Sequence, residues 1–184
     1  MSVLAIVSIK NGAPTKSGLE AASYAADYAA VKGVPSIALV AGEMSGDGSL
    51  GSTGIDKVLH CSEAITDSGQ WAKLTAAAAQ KEGASAVVAS HDHFGRAIAP
   101  RVAVRLQAGL VAGVTELPAN GLVRKNVFSG KAMADVSVNT PTAVYTVTPN
   151  AYGVKDASGD ATVESFTADI GNVREKVTGF DSAS

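Results

Sequence analysis

"ASAVVASHDHFGRAIAPRVAVRL", residues 84–106, reads as a strand that runs into a helix. The first seven residues are small and apolar around Val87 and Val88, the pattern of a strand buried on both faces of a parallel sheet. Phe94, Ile98, Val102 and Leu106 then recur every four residues, which makes a stripe able to pack on that sheet. Pro100 fits a helix that starts near Gly95, because N–H groups in the first turn have no intrahelical partner to lose. The connecting residues 90–95 fall at a strand's carboxyl end, the default ligand edge of a doubly wound α/β domain.

The same alternation extends toward the amino terminus. Val3 to Ile9 is a buried strand, "SGLE" predicts a capping box with Ser17 as N-cap and Glu20 at N3, and Leu19, Ala22, Ala26 and Ala30 mark one helix face that ends at Gly33. "PSIALVAG" and "DKVLHCSE" are further strands, and "DSGQWAKLTAAAAQKEG" is a helix with Trp71, Leu74 and Ala78 inward. After Val114, "LVRKNVF", "KAMADVSV" and "TAVYTV" alternate and predict an antiparallel addition. From Asp156 the polar "DASGDATVESFTADIG" reads as a linker leading to "VREKV". The expected organisation is an α/β domain over 1–155 and a crossing segment or linker over 156–184.

Composition narrows the function classes. The chain has 184 residues, 46% hydrophobic and 17% charged, so it can fill a core. A net charge of -2 provides no field for a polyanion, which sets nucleic acid aside. A single cysteine, Cys61, excludes an internal disulfide, and "MSVLAIVSIKNGAP" lacks the marks of a signal peptide, so a cytoplasmic protein is expected. No apolar run approaches the roughly 20 residues that cross a bilayer.

Several motifs carry competing readings. "GDGSLG", Gly46 to Gly51, has the letters of a dinucleotide fingerprint but no helix to hold a pyrophosphate, and reads as a flexible surface loop. His91, Asp92 and His93 could be metal ligands, yet adjacent residues splay apart and His60 and Cys61 lie on another strand, which leaves an N-cap and a polar loop as the plainer reading. Arg96 in a helix's first turn wants an anion nearby: a ligand, a partner's carboxylate or an internal acid. Arg101 and Arg105 suit a solvated or intersubunit face. Ser90 has no elbow of glycines, so nucleophilic hydrolysis has little support.

"FGRAIAPRVAVRLQAGLVAGVTEL", "VRKNVFSGKAMADV" and "AVYTVTPNAY", in this order, resemble the alpha subunit of electron transfer flavoproteins, with its Gly-Arg-x-x-Ala-Pro-Arg helix, Gly-Lys-Ala turn and Thr-Val-x-Pro-Asn segment. "VLAIVSIKNG" and "DKVLHCSE" are similar too, so the resemblance runs from Val3 to about Val177. It implies a doubly wound, mostly parallel sheet of nucleotide-binding, adenine nucleotide alpha hydrolase-like type. It implies an electron carrier rather than a self-contained enzyme: a heterodimer whose FAD accepts electrons from dehydrogenases, such as the acyl-CoA dehydrogenases of fatty acid beta-oxidation, and passes them to a quinone reductase or another acceptor.

This chain departs from the family in two places. A loop stands at "GEMSGDGSLGSTG", where the family has a short helical segment, and the FAD-holding carboxyl-terminal domain is absent from the sequence. The resemblance then makes this chain the platform that packs on the beta subunit, where AMP is expected. His91, Phe94 and Arg96 are the candidate contacts to that subunit or to the flavin side, and Gly130 and Lys131 read as turn residues. A small nucleotide-binding α/β protein and a stand-alone interaction module remain the alternatives.

Overall fold

The computed structural model describes residues 1–173 and 178–179. Most of "VREKV", expected as a crossing segment, lies outside the described residues. In chain order the elements are β1 (Ser2–Ile6), a ribbon of β2 (Ile9–Lys10) and β3 (Ala13–Pro14), α1 (Lys16–Lys32), β4 (Ser36–Ala41), a 3-10 helix (Asp47–Thr53), β5 (Lys57–Cys61), α2 (Ser68–Lys81), β6 (Ala84–Ser90), α3 (His93–Leu106), β7 (Gly109–Val114), β8 (Leu122–Val127), β9 (Ala132–Ser137), β10 (Ala143–Val147) and β11 (Thr162–Ser165). The main sheet has nine strands in the order β11-β5-β4-β1-β6-β10-β7-β8-β9. Pairing is parallel from β11 through β7 and antiparallel at β8 and β9. This is the doubly wound α/β architecture.

The central strands separate two cores because side chains alternate across a strand. Val3, Ala5 and Val7 join Ala21, Ala22, Tyr24, Ala25 and Ala29 of α1 on one face; Leu4 and Ile6 join Trp71 and Leu74 of α2 and Ile98 and Val102 of α3 on the other. Each fully buried Leu, Ile or Val contributes roughly 1.5–3 kcal/mol, so two-sided strands hold most of the folding energy. Leu19 packs at the edge of its core, while Ala30 is exposed. Gly33 closes α1 in the left-handed region with φ 64°, as its position predicts.

Five expectations need correction. The N-cap of α1 is Thr15, whose hydroxyl accepts from Gly18 N at 3.1 Å; Ser17 lies inside the helix, and Glu20 does not reach back to a cap. Glu20 instead turns inward toward the 150–153 loop. Pro100 sits inside α3, seven residues after His93, rather than in its first turn. Its exposed position lets the helix continue past the missing N–H.

"TAVYTV" does not extend an antiparallel addition. Its β10 lies between β6 and β7, parallel to both, with all five residues buried. The threonine and tyrosine letters imitate a half-exposed strand, but Thr146 is satisfied internally by Gly113 N and by His91. Residues 156–171, expected as a linker, contribute β11 to the sheet edge and bury Ala161, Phe166 and Ile170. "GDGSLG" is not a flexible surface loop but opens the 3-10 helix Asp47–Thr53, in which Leu50 and Thr53 are buried. A short helical connection between β4 and β5 is therefore present after all.

Candidate functional site

The turn between β6 and α3 is fixed by very close packing. A Cβ on Gly95 would fall 1.7 Å from the Ser90 carbonyl oxygen, so only glycine lets α3 begin directly over the strand end. Asp92 is the N-cap of α3: its carboxylate accepts from Gly95 N at 3.0 Å and from Ser17 Oγ at 2.8 Å, which ties α3 to α1. Burial pushes this carboxyl up, but the hydrogen bonds from Gly95, Ser90, Ser17 and Phe94 outweigh it and hold it below the usual range.

His91 is half-buried, with Nδ1 2.8 Å from Thr146 Oγ1 and its backbone N–H donating to Val147 O at 2.7 Å. Burial first, then the charges of Arg96 and Lys125, lower its pKa despite Asp92. Neutral imidazole is the form present at pH 7. Arg96 is exposed and has no carboxylate within 4.0 Å among the described residues. His91 and Arg96 line one notch of about 200 Å³ with Ala99, Pro100, Leu110, Ala112 and Thr146.

Phe94 is separated from that pair. It turns to the other side of α3 and meets Trp71 edge to face, with centroids 5.1 Å apart at 88°. His93 is exposed. His60 Nε2 lies 2.8 Å from Gly42 O, Cys61 is buried, and among the described residues no group of three His, Cys, Asp or Glu side chains gathers for a metal. Arg101 and Arg105 are exposed and line, with Lys73 and the start of α2, a cleft of about 270 Å³ between α2 and α3. Gly130 stands in a turn with Phe128 and Ser129, all three at positive φ, and Lys131 N donates back to Phe128 O.

The residues that sequence reasoning missed make long-range contacts. Glu20, 2% exposed, accepts from Asn150 N, Tyr152 N and Gly153 N, each at 2.8 Å. Thr146 and Lys125 complete the surroundings of His91. The candidate residues do not fit a whole FAD: the notch on the ligand edge is smaller than the roughly 300–1,000 Å³ of ligand pockets, and Phe94 is engaged in the core. The 3-10 segment is no phosphate cradle either, since Leu50 points into the core and Gly51 abuts the 159–161 backbone.

Fold and site define a class: an α/β domain of nucleotide-binding topology whose ligand edge carries a capped helix and a small cationic notch. The electron transfer flavoprotein domain family matches residues 3–170, and the chain belongs to that family. It is also 27% identical over 100 residues to the electron transfer flavoprotein subunit alpha of Bacillus subtilis (strain 168). That alignment covers 52% of this chain and 31% of the relative. The two matches support an amino-terminal domain of alpha type. Among the described residues no helix is long and apolar enough to cross a membrane.

Proposed function

We propose that this chain is the platform of an FAD-containing, heterodimeric electron carrier, with the flavin held mainly by a carboxyl-terminal domain outside this sequence. The observation that carries the reading is the family match across nearly the whole folded domain, joined to an alpha-subunit relative about three times longer than the aligned stretch. A beta-type subunit is the partner, and AMP belongs to that subunit. Dehydrogenases such as acyl-CoA dehydrogenases donate electrons, a quinone reductase or another acceptor receives them, and the chain acts as an electron carrier rather than an enzyme in the cytoplasm.

His91 and Arg96 are the contacts proposed to face the beta subunit or the flavin side, because they share an open notch and Arg96 retains an unanswered charge. Phe94, the third candidate, would act by holding α3 against Trp71. The proposed linker role of 156–184 narrows to the residues beyond the segment that forms β11. The test is the visible spectrum of the purified chain, alone and after mixing with beta and FAD-domain polypeptides. A colourless chain that joins a yellow complex supports the platform; a flavin spectrum from the chain alone overturns it.

A further inference from the structure

We propose that the notch between His91 and Arg96 is a seat for one carboxylate group carried on a short apolar stem. The hydrogen bonding of Thr146 sets the geometry. Its Oγ1 is buried and accepts from Gly113 N at 3.0 Å, so its own proton needs an acceptor. Among the described residues the available acceptor is His91 Nδ1, at 2.8 Å. Thr146 therefore donates to Nδ1, and the neutral ring carries its proton on Nε2.

That leaves His91 with an Nε2–H donor in a ring that lines the same notch as Arg96, and the charges of Arg96 and Lys125 both act on that ring. Arg96 and Lys125 have no carboxylate within 4.0 Å among the described residues, in a chain of net charge -2. Arg124, the neighbour of Lys125, is by contrast paired with Asp135 at 2.8 Å. The acid beside His91, Asp92, is directed to Gly95 N and Ser17 Oγ and makes no ion pair with Arg96. Ala99, Pro100, Leu110 and Ala112 form the rest of the lining, which suits an aliphatic stem below a planar, charged head.

The proposal concerns this chain alone and is tested without a flavin or a partner. Sodium propionate is titrated into the ¹⁵N-labelled full chain, with sodium chloride at equal ionic strength and sodium phosphate as comparators. We expect saturable shifts at Gly113, at Arg96 Nε and at the His91 ring nitrogens, and ring-nitrogen frequencies of the Nε2–H tautomer. Arg96→Gln should weaken propionate binding about tenfold, while Arg101→Gln on the same helix leaves it unchanged. The seat is overturned if propionate shifts nothing beyond chloride, if Arg96→Gln titrates like the unaltered chain, or if His91 carries its proton on Nδ1. Phosphate saturating the same signals at lower concentration than propionate would overturn the carboxylate assignment.

Discussion

At one end of the sheet a strap, residues 149–171, is pinned at many points; at the other end the β8–β9 hairpin is anchored by Val123 in the core but leaves its tip exposed. The strap meets Glu20 at three N–H groups, Ser23 at Lys155 N and Asp27 through the Tyr152 hydroxyl and Lys155. It then crosses the 3-10 segment, where Ala157 N donates to Ser52 O, and enters β11 beside β5. Lys57 and Lys81 both reach Glu164 there. The hairpin pairs well within itself but joins β7 through one register pair, Val114 with Lys125. It leaves Phe128 80% and Met133 68% exposed. The first edge carries ion pairs that oppose stray pairing, while the second presents larger apolar side chains of the kind that partners cover.

Glu20→Ala attacks the pinned edge most directly. Three N–H donors of the strap would lose their buried acceptor, and water can reach those of exposed Asn150 and Gly153, so a total loss of roughly 2–3 kcal/mol is expected in urea unfolding, with new proteolysis between 149 and 160. A loss under about 1 kcal/mol would mean that the strap is held elsewhere. Next is Gly51→Ala, whose methyl would sit 2.5 Å from Ala161 N; roughly 1–3 kcal/mol should be lost, and hydrogen exchange in β11 should rise before that in β10.

A smaller effect comes from His91, which lies between the two ends. Its folded pKa is depressed, so the unfolded chain binds the proton more readily and stability falls as pH drops from about 7 toward 5. His91→Gln should flatten that part of the profile; an unchanged slope would assign it to other groups. Asp27 and Asp92, also depressed, act in a lower window: their stabilisation is present above the unfolded carboxylate range and is lost in stronger acid. The smallest effect on stability belongs to Phe128→Ser on the hairpin, within about 0.5 kcal/mol by denaturation. Sedimentation with a beta-type subunit would show whether this edge takes part in association, and unchanged binding would remove it from the proposed interface.

Legibility followed the range of the interactions. An N-cap within His91 to His93, Gly33 as a stop, the Phe94 to Leu106 stripe and the strands β1, β4, β5 and β6 were readable because each depends on neighbours within a few residues. Glu20 was misread because a local capping box and a contact 130 residues away use the same letter. β10 was misread because buried Thr146 and Tyr145 look polar until His91 and the sheet around them are in place.

The sequence by itself determined the α/β class, the family resemblance and the strand end at which His91 and Arg96 stand. These follow from period, capping and turn chemistry, which act along the chain. Tertiary structure alone decided that β10 enters the middle of the sheet, that 156–171 closes its edge, that Phe94 turns away from His91, and that Arg96 finds no acid among the described residues. Those outcomes depend on which distant polar groups find partners when two cores close around one sheet, and no local pattern encodes that pairing.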